Sequence, residues 1–144
     1  MKGAFNVMST SELQIAVEQA QGRVPVTIIR AEGVVDAATY QALQTAVDTA
    51  YAAGVQYLLF DLTNISYMSS AGLRVLHRLI DRLRDDGSAE VGAASKAGMT
   101  SDSLKSPHVK LLNPSKNVRR LLEVSGFELL FDTHTDLDTA LASF

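Results

Sequence analysis

Two adjacent serines, Ser69 and Ser70 in the stretch YMSSAGLR (residues 67 to 74), are the side chains whose type and spacing best suit chemistry in this chain. A nucleophilic serine is commonly raised on a tight Gly-x-Ser-x-Gly turn and needs a histidine base. Gly72 stands two residues after Ser70, but the position two before it is Met68, and His77, His108 and His134 lie far apart in sequence. Hydrolysis is therefore a poor account. A serine at a helix start caps free N–H groups and contributes about 1 kcal/mol, which explains one serine and not two. Glu or Gln three residues on, needed for a full capping box, is replaced by Gly72 and Leu73. The free N–H groups of a helix start also favour an anion. A phosphoryl group there would add about -1.5 to -2 charges and three acceptor oxygens, and Arg74, four residues after Ser70, would add positive potential.

Other clusters carry weaker signals. DTHTDLD, from Asp132, has neither metalloprotease nor calcium-loop spacing, and acids entering a helix explain it. GAASKAG, from Gly92, lacks the Gly-Lys-Ser/Thr order of a phosphate loop. KNVRR, from Lys116, is the densest basic cluster and opens a helix, where positive charge is slightly unfavourable. An anionic partner is conceivable there, although a solvated helix face is the more ordinary account. With no cysteine, disulfides, thiolate catalysis and cysteine-held metals are excluded. No catalytic residue, metal site or cofactor is expected from these clusters.

The net charge of -3, with basic residues interspersed among acids, gives no footprint for nucleic acid. MKGAFNVMSTSELQ has no secretory core, and no apolar run approaches the roughly 18 to 20 residues of a membrane span. A cytoplasmic protein without direct membrane insertion is expected.

The elements that must position the serines follow from periodicity. At 144 residues and 47% hydrophobic, the chain suits one domain, expected over 13–144 after a polar arm at 1–12. LQIAV from Leu13 alternates, and VPVTIIR from Val24 is β-branched. They predict an antiparallel pair turning at 21–23, with the first strand at the sheet edge. Beyond GVVD (33 to 36), apolar residues at helical spacing from Tyr40 to Ala50 predict a helix capped by Asp36 and ended by Gly54. VQYLLFDL (55 to 62) is continuous enough for a central strand buried on both faces.

Leu73, Leu76, Ile80 and Leu83 then stripe a second helix from about Ser70 to Asp86, closed by Gly87. HVKLLN from His108 predicts a strand, the segment after Pro114 a third helix ended by Gly126, FELLF from Phe127 a last strand, and DLDTAL from Asp136 a last short helix. The expected fold is α/β: a mixed, mostly parallel sheet of four to five strands with about four helices. Residues 87–107, rich in Gly, Ala and Ser, read as a long surface excursion, with AEVGA from Ala89 as a possible extra strand and the remainder as a lid.

VTIIRAEGVVD from Val26, LLFDLTNISYMSSAGLRVL from Leu58 and NPSKNVRRLLEVSG from Asn113 together resemble the STAS domain of bacterial anti-sigma factor antagonists. The resemblance implies a non-catalytic protein that binds an anti-sigma factor, often a serine kinase, and so frees a sigma factor. It also implies that phosphorylation of a serine at the start of the second helix abolishes binding and that a phosphatase restores it. Against the family's Asp-Ser-Ser/Thr-Gly order, Ser70 takes the acceptor position and Ser69 stands in place of Asp, with Ser69 as the alternative acceptor.

The expected partner face comprises the Gly33 to Asp36 turn, the loop with Ser66, Met68, Ser69, Ser70 and Gly72, and the exposed side of the second helix with Arg74, His77 and Arg78. Two other readings of the same domain stand beside this one: a scaffold subunit of a transporter or lipid-trafficking system that does not switch, and a small-ligand sensor. Sequence does not specify the oligomeric state.

Overall fold

The computed structural model describes residues 6–9, 13–87 and 106–144, with the side chains of 6–9 and 84–87 left undescribed. Alternation makes Leu13–Gln21 a strand (β2): Leu13, Ile15 and Val17 are buried on one face, while Gln14 is exposed on the other. It pairs antiparallel with β3 (Pro25–Val35) and also with β1 (Asn6–Ser9). The 13–21 strand is therefore not the sheet edge, because part of the N-terminal arm adds a strand outside it. NVMS gives little periodicity to read, and its pairing comes from the backbone of β2.

From β3 the chain alternates as expected: α1 (Tyr40–Ala52), β4 (Leu58–Met68), α2 (Ser70–Gly87), β5 (Val109–Leu112), α3 (Lys116–Ser125), β6 (Asp132–His134) and α4 (Leu137–Ala142). The six strands lie side by side in chain order, and β3 through β6 are parallel. Among the described residues this is the mixed, mostly parallel α/β sheet with four helices that the sequence predicts, widened by β1. FELLF is not a strand: Phe127–Leu130 form a 3-10 turn, and the last pairing falls on the polar Asp132–His134.

Strand periodicity sorts the core. Ile29 and Ala31 of β3, Leu58, Phe60 and Leu62 of β4, and Val109 and Leu111 of β5 face the buried sides of α1, α2 and α3, including Leu43, Val47, Leu76, Leu79, Val118 and Leu122. On the opposite face Val26, Ile28, Leu59 and Leu112 pack on Ala140 of α4. Hence β4 is buried on both faces where it crosses the middle of the sheet, the property its apolar run predicts.

Two strands run further than their apolar runs indicate. β3 continues through Gly33 to Val35, with register shifts between Arg30 and Glu32 and between Gly33 and Val34. Gly33, at φ 122°, holds a conformation in which a side chain is strained. β4 continues through TNISYM to Met68, so Ser66 and Met68 belong to a strand and not to a loop. Its outer half is exposed at two of every three positions, which hides it from a search for continuous burial. Between Gly87 and Ser106 the chain lies outside the described residues, and with it the strand and lid considered for 87–107.

Candidate functional site

The tips of β3 and β4 meet in register, Val34 opposite Tyr67 and Val35 opposite Met68. From there a single residue turns the chain into α2. The Ser69 N–H donates to the Val35 carbonyl at 2.8 Å, and the Ser69 carbonyl accepts from Gly72 and Leu73 at 3.0 and 3.3 Å. Its Oγ accepts from the Ala71 N–H at 3.1 Å. Ser69 is thus the helix cap. Ser70, the first residue of α2, is exposed, and among the described residues its hydroxyl has no hydrogen-bond partner.

Close packing of α2 on the strand tips depends on Gly72. A Cβ there would lie 2.6 Å from Met68 Cγ and 2.9 Å from Val35 Cγ1. Met68 is 3% exposed. Two residues expected at the partner face, Met68 and Gly72, therefore lie inside and hold the site in place.

Ser70 opens onto a groove of about 540 Å³. Tyr67, Met68, Ser69 and Ser70 form one wall, and Asn117, Arg120, Leu121 and Val124 form the other. The second wall is an i, i+3, i+4, i+7 stripe on α3. Asn117 ties the walls together, its Nδ2 donating to the Ser66 carbonyl at 3.0 Å, while Ser66 Oγ donates to the Gly33 carbonyl at 3.3 Å. Tyr67 and Val124 are 50% and 79% exposed, two of the three exposed large hydrophobic residues among those described. An apolar side chain so open beside a groove is available to a partner.

Arg74, His77 and Arg78 line a second groove, of about 570 Å³, with Tyr40 and Gln44 of α1. Arg74 shares that groove with Ala71 and not with Ser70, so the two grooves flank the first turn of α2 on either side. The continuous face expected from sequence is divided. Asp36 is not the N-cap of α1, a position that Thr39 takes; it closes the turn before the helix, its Oδ1 accepting from the Ala38 and Thr39 N–H groups at 2.9 and 3.1 Å. Behind the second groove, Arg82 donates to Asp48 at 2.6 Å and Gln44 donates to it at 2.8 Å. Burial works to raise the Asp48 pKa, but these hydrogen bonds, with the charges of Arg82 and Arg78, hold it below the ordinary carboxylate value. The ring of His77 lies 5.6 Å from that of Phe127, joining α2 to the turn after α3.

Tyr67, Leu121 and Val124 are not among the residues expected at the site, and Asn117 and Arg120 enter the sequence analysis only within the KNVRR cluster. The available signals were the basic KNVRR cluster and, within the same helix, apolar positions in excess of the two, Val118 and Leu122, that the core takes up.

Residues 15–90, just over half of the chain, match the STAS domain family. The chain belongs to that family. This STAS domain also shares its fold with an anti-sigma factor antagonist from Mycobacterium paratuberculosis, at 20% identity and a TM-score of 0.71, over 94% of this chain and 97% of the other. The unphosphorylated anti-sigma factor antagonist SpoIIAA is similar at 19% identity and a TM-score of 0.57, over 87% and 93%. The phosphorylated Bacillus cell fate determinant SpoIIAA is similar at 19% identity and a TM-score of 0.55, over 88% and 96%. Among curated proteins no sequence matches the chain. In the described part of this STAS domain no helix is long and apolar enough to cross a membrane.

Proposed function

We propose that this STAS domain is an anti-sigma factor antagonist whose binding is switched at Ser70. It binds an anti-sigma factor of the serine-kinase type and so releases a sigma factor; modification of Ser70 ends the complex, and a phosphatase restores it. The observation that carries this reading is the division of labour between the serines. Ser69 is consumed as the cap, and Ser70 presents an exposed hydroxyl, unbonded among the described residues, beside an apolar-edged groove. In the transfer, Ser70 Oγ forms a bond to the terminal phosphorus of a nucleoside triphosphate held by the kinase. The bond from that phosphorus to the leaving diphosphate breaks, and the hydroxyl proton passes to a base of the kinase. The STAS domain is the acceptor and not the catalyst.

Tyr67 and Val124 supply the apolar contact in this proposal, and Arg74 and Arg78, with His77 between them, supply positive charge from the two guanidinium groups for an acidic stretch of the partner. A phosphoryl group on Ser70 then acts where the partner sits, through repulsion and the cost of desolvating its charge. Mass spectrometry of the protein isolated from its own cells tests the switch. A phosphopeptide carrying Ser70, absent in Ser70→Ala, supports it; modification confined to Ser69, or none under any growth condition, rejects it. The second outcome would favour a scaffold that binds without switching, a reading to which Ser69 in the family's Asp position gives some weight.

A further inference from the structure

Arg120 of α3 faces the groove onto which Ser70 opens, and among the described residues it has no ion-pair or hydrogen-bond partner. Three other cations among the described residues are committed: Arg30 to Glu18 and Asp61, Arg82 to Asp48, and Lys110 to Asp132. Arg74, the cation expected beside Ser70, lines the other groove. Asn117, one turn before Arg120, holds its wall of the groove against the end of β4. An unpaired guanidinium thus stands across from an unpaired hydroxyl, on a wall fixed at its base.

Resting on the reading of Ser70 as phosphoacceptor, we propose that α3 holds the modified state: Arg120 grips the Ser70 phosphoryl group across the groove within the same chain. The planar guanidinium can donate two parallel hydrogen bonds to phosphate oxygens, which a lysine cannot do. A bridge from α2 to α3 spans the groove between Tyr67 and Val124, so modification closes the apolar site as well as charging it. The basic cluster at 116–120, unfavourable to its own helix start, then has a use within the fold.

The test uses the full chain with phosphoserine installed at position 70 during synthesis, so that no kinase is required. Phosphorus NMR follows the second ionisation of the phosphate in the wild type and in the Arg120→Gln, Arg120→Lys and Arg119→Gln variants. The helix N-terminus acts equally in all four, and Arg119 does not line the groove. Arg120→Gln should raise the titration midpoint by about one unit, the low end of what one neighbouring cation does to an acid. Arg120→Lys should raise it less, and Arg119→Gln should leave it in place. Phosphorylation should also raise the melting temperature of the wild type by more than that of Arg120→Gln. Coincident midpoints in wild type and Arg120→Gln would overturn the bridge, as would equal shifts from Arg119→Gln and Arg120→Gln. Failure of the switch itself shows separately, as partner affinity that phosphoserine at 70 leaves unchanged.

Discussion

Asn117 of α3 donates to the Ser66 carbonyl of β4 at 3.0 Å, across 51 positions of sequence. This contact fixes the distance between the wall that carries Arg120 and the strand that delivers Ser70. Because it lies at the surface, Asn117→Ala should cost only about 0.5–1 kcal/mol of stability while speeding amide exchange in the first turn of α3. Exchange that is faster only at global unfolding would show that the contact does not hold the wall.

The two serines should separate cleanly in denaturant unfolding. Ser69→Ala removes the Oγ that accepts from Ala71 and should cost about 1 kcal/mol. Ser70→Ala removes an exposed, unbonded hydroxyl and should stay within about 0.5 kcal/mol of wild type. The reverse order would transfer the cap to Ser70 and remove the reason for regarding it as the free acceptor.

Gly72→Ala should destabilise the domain although alanine is the better helix former by about 1 kcal/mol. The added methyl meets Met68 Cγ and Val35 Cγ1, both inside the core. Overpacking of this kind costs about 1–3 kcal/mol, so thermal melting should show a lower midpoint. A midpoint at or above wild type would mean that α2 does not press on the strand tips.

The legible part of the fold was the part that repeats. Ile28 to Ala31, Leu58 to Leu62 and the Leu73, Leu76, Ile80, Leu83 stripe bury side chains at regular spacing, and the parallel sheet and its helices follow from them. Asn6–Ser9 and Asp132–His134 are held by backbone pairing with a neighbour, and FELLF lost to a 3-10 turn closed by the Leu129 N–H donating to Gly126. At the site, local chemistry identified both serines and Gly72. Tyr67, Asn117, Arg120 and Val124 became part of it only through the placement of α3, which is set by packing across the sheet.

Acid should loosen α4 first at its cap. The backbone and side-chain hydrogen bonds that Asp136 accepts from Thr139 hold its pKa below the ordinary 3.8. A carboxylate whose folded pKa is depressed contributes stability above its unfolded pKa and loses that contribution as pH falls through the folded value. Amide exchange at Thr139 should therefore accelerate as pH drops below about 4 relative to Asp136→Asn, which keeps an acceptor oxygen but does not titrate. Parallel behaviour of the two proteins would rule out Asp136 as the origin.

The central claim concerns Ser70 and is tested most directly by calorimetric titration of a serine-kinase-type anti-sigma factor from the same genome into three forms of this STAS domain: wild type, Ser70→Ala and phosphoserine at 70. The account predicts like affinities for the first two and a loss of at least about tenfold, or 1.4 kcal/mol, for the third. Equal affinity in all three would contradict it.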